Sequence, residues 1–388
     1  MRTDRRRLRQ SPSPVHPEAR ECDTVDLRAR RTGPLVSGAA GAGRRDVGSI
    51  TDVDGIRVGQ VNKQGDGWLS GVTVVLPDAD TIGGVDVRGG GPGTHETDAL
   101  DPRTLVPTVD AVVLTGGSAF GLATAQGAQR WCAEDERGIL VGTLPHEVVP
   151  IVPAAAIFDL GRGGEFGNRP TEQMGYDAAA AAAASPPFSP VERGNVGAGT
   201  GGALGGLYKG GVGTASVTLP GDNGDIVVGA IVVVNAVGMP WLPQTAASTT
   251  AGGKAAAAAA GLEPVRSASP PQGLNTTIAV VATNAILDPA EASRTATTAH
   301  DGFARVLNPV HTLTDGDTIF VLATSKKELA GDDRSGRVAS LFALQTAAAE
   351  AMRLAILDAI DCARTVTTPV VTLERFPLPT DLDWSVLA

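Results

Sequence analysis

The stretch Asn275 to Ala285, NTTIAVVATNA, constrains what the rest of the chain can build. Its run from Ile278 to Ala282 is β-branched and apolar without alternation, the character of a buried strand. Two hydroxyl residues, Thr276 and Thr277, stand at the mouth of that run. Ahead of it, Pro264 to Gly273 is a Pro/Ser/Gly segment that supports no regular structure. The chain therefore delivers Thr276 from an irregular loop onto the first position of a core strand.

The residues alone leave that arrangement open. It reads as an ordinary strand that begins with two threonines. Asn275-Thr276-Thr277 is also an N-glycosylation sequon, which matters only in a secreted eukaryotic protein. Or it is a place where the chain cuts itself. The Thr276 hydroxyl attacks the carbonyl carbon of Asn275, the acyl group moves from nitrogen to oxygen, and water hydrolyses the ester. Thr276 then carries a free α-amine, with a pKa of about 8 in ordinary surroundings, that serves as base for its own hydroxyl.

The 388 residues are enough for one large domain or two smaller ones, and 42% hydrophobic content supplies a core. The 49 glycines imply tight turns and close backbone approaches. Residues 1–46 hold eleven arginines against six acidic residues, net +5, so an overall charge of −10 leaves −15 for the remainder. That basic arm lacks the apolar run of a signal peptide and is expected to be a disordered extension, with residues 47–388 forming a single domain. The acidic body argues against nucleic acid as a partner. No stretch is read as the roughly 20 apolar residues of a membrane span, so no membrane partner is expected. Cys22, Cys132 and Cys362 are odd in number, far apart and without partner histidines. They suggest neither a disulfide framework nor a zinc site, and a reducing cytoplasm fits them best.

Along the chain, Ser49 to Asn62 reads as two short strands about Asp54-Gly55, and Ser70 to Asp78 as a third. Within Gly83 to Leu100, Arg88, His95, Glu96 and Asp98 either line a pocket or sit on a solvated loop. The turn Thr115 to Gly121 joins the buried strand Asp110 to Leu114 to a helix, Ser118 to Trp131. It misses the G-x-S-x-G nucleophile elbow by one residue, Phe120, so Ser118 caps the helix or helps its N–H groups hold an anionic group. Glu147 to Phe158 reads as a strand whose prolines suit an edge or bulge. The glycine-rich block Gly194 to Val217 contains one cation, Lys209, and neither a dinucleotide fingerprint nor a Walker lysine. Lys209 is a functional ammonium wrapped by closely packed strands, or a solvated turn lysine. Asn235 ends the most apolar strand, Ile226 to Asn235, as an oxyanion donor or as a turn residue. Asp288, Pro289 and Glu291 mark a helix start. Asp315 and Asp317 stand in a turn where two carboxylates orient an ammonium or a threonine hydroxyl, or serve only local structure. Val338 to Arg364 reads as an amphipathic helix with Val338, Leu341, Phe342, Met352, Ile356 and Ile360 on its apolar side.

In order, the blocks ITDVDGIRVG, GGVDVRGGGPGTHETD, TGGSAFGL, VPIVPAAAIFDL, GNVGAGTG with KGGVGTAS, VVVNAVG, NTTIAVVATNA and AHDGFARVLNPVHTLTDGDTIFVLAT resemble the DmpA-like family. These are the L-aminopeptidase/D-esterase peptidases, which include the nylon-oligomer hydrolases. The resemblance runs from Ser49 to Thr324. It implies an α+β fold, a four-layer αββα sandwich like that of N-terminal-nucleophile hydrolases. It further implies cleavage into an α chain (1–275) and a β chain (276–388) that stay associated and assemble as a tetramer of αβ units. Thr276 is then the nucleophile and its amine the base, Asn235 the oxyanion-type residue, and Lys209 the lysine that tunes the amine and assists processing. Asp315 and Asp317 match the acidic pair of the nylon-oligomer hydrolases, which points to amides with a free terminal amine, as small molecules or peptides. Ser118 and Phe158 are candidate substrate contacts. Phe158 departs from the tyrosine of several members and so lacks a second oxyanion hydroxyl. No metal or organic cofactor is required, because nucleophile, base and oxyanion donor all come from the chain. The alternative is a binding protein that keeps the fold without turnover.

Overall fold

The structure, a computed structural model, describes residues 47–241, 275–379 and Trp384. The expected extension 1–46 and the loop Pro264 to Gly273 lie outside the described residues. Ten strands form two five-stranded sheets. The first runs in the order β1 (Ile56–Gly65), β2 (Trp68–Pro77), β5 (Val112–Thr115), β6 (Ala154–Ala156), β4 (Thr94–His95). The second runs β7 (Gly211–Thr218), β8 (Val227–Val234), β9 (Ile278–Ala285), β10 (Thr318–Lys327), β3 (Ile82–Val87). β1 and β2 meet through Asp66-Gly67, both at positive φ (48° and 81°), the two-residue turn whose twist matches a hairpin.

Each sheet contains one parallel pair, β5 with β6 and β9 with β10. A parallel neighbour needs a crossover, and helices supply it. α1 (Ala123–Glu134) follows β5 and α3 (Pro289–Ala304) follows β9; α2 (Glu172–Ala184) and α4 (Arg334–Cys362) complete the helices that cover the sheets. Asp288 caps α3 in a full capping box with Glu291, as its sequence suggests.

The four layers follow from side-chain alternation. On β9, Ile278, Val280 and Ala282 enter the core between the sheets, with Ile231, Val233, Phe320 and Leu322 from β8 and β10 and Val112 and Leu114 from the first sheet. Ala279 and Val281 face the other way, into a core made with Phe303 of α3 and Met352 and Ile356 of α4. Val72, Val74 and Leu76 of β2 likewise meet Ala178 and Ala182 of α2. Every central strand is therefore apolar on both faces, and the molecule is the expected αββα sandwich.

Four readings change. Ile50–Asp52 is a 3-10 turn rather than a strand, because Ser49 and Asp52 close a capping box on it. Between Glu147 and Phe158 only Val148–Val149 and Ala154–Ala156 are strand, since Pro150 and Pro153 have no N–H for a ladder. At 29 residues α4 is long and apolar enough to cross a membrane by length and composition, contrary to expectation, but it is a core helix here. Its continuous apolar side is also shorter than read: Val338 and Phe342 are exposed, and the apolar burial begins at Leu344. A helix of that length spans about 43 Å, whereas the eight-residue strands beneath it span about 26 Å. Its first turns therefore overhang the sheet.

β7 approaches α4 so closely that a Cβ on Gly213 would strike the Ala355 carbonyl and the Ala359 amide. Gly213→Ala should push helix from sheet and cost about 1–3 kcal/mol; a denaturant midpoint equal to that of the parent would refute this contact.

Candidate active site

β9 is the middle strand of the second sheet, and its head carries Thr276. The Thr276 amide donates to the Asn235 carbonyl at 2.7 Å, and the Thr277 carbonyl accepts from the Thr318 amide at 3.2 Å. Asn275 makes an isolated parallel bridge to the acidic turn: its amide donates to Thr314 O at 3.2 Å, and its carbonyl accepts from the Gly316 amide at 3.0 Å. Thr276 is 4% exposed, and its hydroxyl lies 2.5 Å from the Asn275 carbonyl oxygen. The hydroxyl thus rests against the peptide group it would attack.

The two carboxylates of the turn differ. Asp317 accepts from the Thr277 amide on Oδ1 (2.8 Å), and on Oδ2 from the His311 amide (3.0 Å) and Nδ1 (2.8 Å). Both oxygens are occupied, so Asp317 braces the head of β9. The Asp315 carboxylate is hydrogen-bonded to Thr312 instead, with Oδ2 accepting from its amide at 2.8 Å and the Thr312 side chain bonding the carboxylate as well. Burial, with the Asp317 carboxylate beside it, holds Asp315 above the usual carboxylate range. The loop after β3 reaches this turn with its backbone, Arg88 N to Asp317 O at 2.9 Å and Gly91 N to Asp315 O at 2.8 Å. Its charged side chains point elsewhere: Arg88 pairs with Asp86, and His95 is exposed.

Asn235 is fully buried at the end of β8. Its Oδ1 accepts from Arg162 Nη1 (2.6 Å) and the Ala203 amide (3.1 Å), which fixes the orientation of the carboxamide. Nδ2 is left as a buried donor with no partner among the described residues. Beside it Lys209, also fully buried, donates from Nζ to the carbonyls of Gly199, Gly202 and Gly210 at 2.8–2.9 Å. The glycine-rich block thus wraps an ammonium, and the solvated-lysine reading does not hold. Burial, with the nearby Arg162 charge, lowers the Lys209 pKa to about 7, opposed by Asp159. Asp159 accepts from Ser70 Oγ and the Gly117 amide, both at 2.7 Å, and burial raises its pKa.

Ser118 sits at φ +52°, just after Gly117 at φ +81°, a left-handed pair that glycine tolerates and serine rarely adopts. It does not cap the helix, and its amide is spent on Ile157 O at 2.9 Å. Phe158 is half-buried, next to Asp159. Asp159 anchors Gly117 and its charge attracts Arg162, Arg162 holds Asn235, and the Asn235 carbonyl holds the Thr276 amide. Arg162, Asp159 and His311 join the candidate site through these contacts, and the sequence alone does not single them out. Asp159 and Arg162 follow the short strand β6 as FDLGRG, three residues apart, a signal too common to stand alone. A cavity of about 290 Å³ opens beside Arg162 and Ala203, walled by Leu160, Val370, Val371 and Leu373.

The family model described as peptidase family S58 matches residues 48–372. An uncharacterized aminopeptidase of Mycobacterium leprae is 48% identical over 297 residues, 72% of this chain and 79% of that protein. A 6-aminohexanoate-oligomer endohydrolase of Kocuria sp. is 28% identical over 367 residues, 86% of this chain and 95% of its own length. Among solved structures, the L-aminopeptidase D-Ala-esterase/amidase of Ochrobactrum anthropi, described as a variant of the Ntn-hydrolase fold, aligns with a TM-score of 0.62 at 22% identity, covering 90% of this chain and 94% of that one.

Lys209 gives a prediction independent of activity. Its folded pKa near 7 lies below the ordinary 10.5, so between those values the unfolded chain binds the extra proton and stability rises with pH. The slope approaches about 1.4 kcal/mol per pH unit and vanishes below pH 7, where both states are protonated. Lys209→Met should lack this rise in denaturant titrations from pH 7 to 10; parallel profiles would show Lys209 to be unshifted.

Proposed function

Since the chain belongs to peptidase family S58 and so hydrolyses amide bonds, we propose that it is a self-processing aminopeptidase or oligoamide hydrolase whose nucleophile is Thr276. The observation that carries this reading is the Thr276 hydroxyl resting against the Asn275 carbonyl, one strand from Asn235 Nδ2, a buried donor with no partner among the described residues. Cleavage between Asn275 and Thr276 frees the Thr276 amine, which takes the hydroxyl proton during attack on a substrate amide. The oxyanion that forms on the substrate carbonyl is met by Asn235 Nδ2, which is kept free because Arg162 and the Ala203 amide hold Oδ1. Lys209 adds positive charge nearby, which favours the neutral, basic form of the Thr276 amine.

Asp315 is the carboxylate of the acidic turn that does not brace β9, its hydrogen bonds going to Thr312 within the turn. It supports a substrate with a free ammonium, as in aminoacyl amides and amino-terminated oligoamides. The β chain stays bound after cleavage because β9 pairs with β8 and β10 pairs with β3, both strands of the α chain. Further assembly into a tetramer of αβ units belongs to the same proposal.

Thr276→Ala should remain a single chain by intact mass under denaturing conditions and should not hydrolyse aminoacyl p-nitroanilides. Hydrolysis that persists in this variant would move the nucleophile to Ser118. Asn235→Ala should lower kcat on such substrates by about 10²–10³-fold, and an unchanged kcat would remove Asn235 from the oxyanion site.

A further inference from the structure

We infer that the chain uses separate oxyanion donors for its two reactions: the backbone N–H of Gly316 serves self-cleavage, and Asn235 Nδ2 serves substrate turnover. This rests on the self-cleavage reading above. In the intact chain the carbonyl to be attacked, that of Asn275, accepts the Gly316 N–H at 3.0 Å and touches the Thr276 hydroxyl. Asn235 Nδ2 meanwhile has no partner among the described residues, so the asparagine donor is not on the scissile carbonyl.

The Gly316 donor is held rigidly. Asp315 N donates to Thr312 O at 3.1 Å, Asp315 O accepts from Gly91 N at 2.8 Å, and Asp317 O accepts from Arg88 N at 2.9 Å. The peptide carrying the N–H is thus fixed on both sides before reaction, which is what transition-state stabilisation by a dipole requires. A second observation concerns the residue itself. A Cβ at position 316 would stand 2.7 Å from Thr276 Oγ1 and 3.0 Å from Gly91 O. The missing side chain leaves the space the hydroxyl occupies, and φ at Gly316 is not left-handed, so close approach rather than backbone freedom explains the glycine.

The step balances within the chain. Thr276 Oγ bonds to the Asn275 carbonyl carbon, and the carbonyl oxygen takes the negative charge under the Gly316 N–H. The C–N bond then breaks, the hydroxyl proton ends on the Thr276 nitrogen, and the carbonyl re-forms as an ester. Water cleaves the ester to the Asn275 carboxylate and the Thr276 hydroxyl.

The test replaces one atom. In Gly316→glycolate, introduced by nonsense suppression in cell-free synthesis, an ester oxygen takes the place of the N–H and no side chain is added. The rate at which the 276–388 fragment appears should fall by about 10²–10³-fold. Because this variant can also fail by misfolding, the bond itself is measured in an uncleavable Thr276→Val precursor labelled with ¹⁵N and ¹³C. A coupling across the hydrogen bond from Gly316 ¹⁵N to the Asn275 carbonyl ¹³C is expected, and its absence overturns the inference. Parent-like cleavage of the glycolate variant overturns it as well. A parent chain that never cleaves refutes the self-cleavage reading itself, and the role of the N–H with it.

Discussion

The amide of Thr276 donates to the carbonyl of Asn235, and this bond decides which groups share the site. It joins the end of β8 to the head of β9. β8 and β9 are antiparallel, whereas β9 and β10 are parallel. The end of β8, the start of β9 and the start of β10 therefore lie at one edge of the sheet. Neighbouring strands are about 4.8 Å apart, so a residue just past β8, one just before β9 and a turn just before β10 are within side-chain reach. Asn235, Thr276 and the turn Asp315 to Asp317 occupy those positions. Reversing the direction of any one strand would carry its group to the far end of the sheet.

The second sheet could not support this edge without the buried charges beside it. A charge taken from water is costly unless its hydrogen bonds are replaced. Lys209 has its ammonium protons on three glycine carbonyls, and Asp159 has Ser70 and the Gly117 amide. Replacement depends on close backbone approach, since a Cβ on either Gly116 or Gly201 would collide with the Asp159 carboxylate. The glycine content of the chain is thus tied to its buried charges. In turn the Arg162 guanidinium holds Asn235 Oδ1, so the same cluster sets the direction of Asn235 Nδ2, which has no partner among the described residues.

Strands and caps were legible in the sequence because local chemistry determines them. The apolar runs at Ile226 and Ile278 and the capping box at Asp288 needed only neighbours in the chain. Thr276, Asn235, Lys209 and the acidic turn were legible as candidates because each stands at an element boundary with an unusual side chain. Their roles were less so. Asp317 looked like half of a substrate-binding pair, but His311, six residues earlier, and the Thr277 amide consume both its oxygens. Asp159 and Arg162 gave no sign, because what distinguishes them is burial between elements remote in sequence. The overhang of α4 was hidden for a similar reason, as an exposed Phe342 and a buried Ile356 obey the same helical period and differ only in what lies beneath.

The position of the proposed scissile bond also answers how such a chain could be cut inside its core without losing the fold. Regular pairing on β9 starts at Ile278, and the two threonines before it are held by single backbone bonds. Asn275 is tied to the turn by an isolated bridge. Its release forfeits that bridge, two hydrogen bonds worth about 1 kcal/mol each. The ladders to β8 and β10 and the apolar contacts of Ile278, Val280 and Val281 on both faces remain. A cut two residues further along would instead free a charged end inside the ladder, with no water to receive it. The head of a doubly paired strand is thus the deepest point at which the sheet tolerates a break, and it is where Thr276 stands.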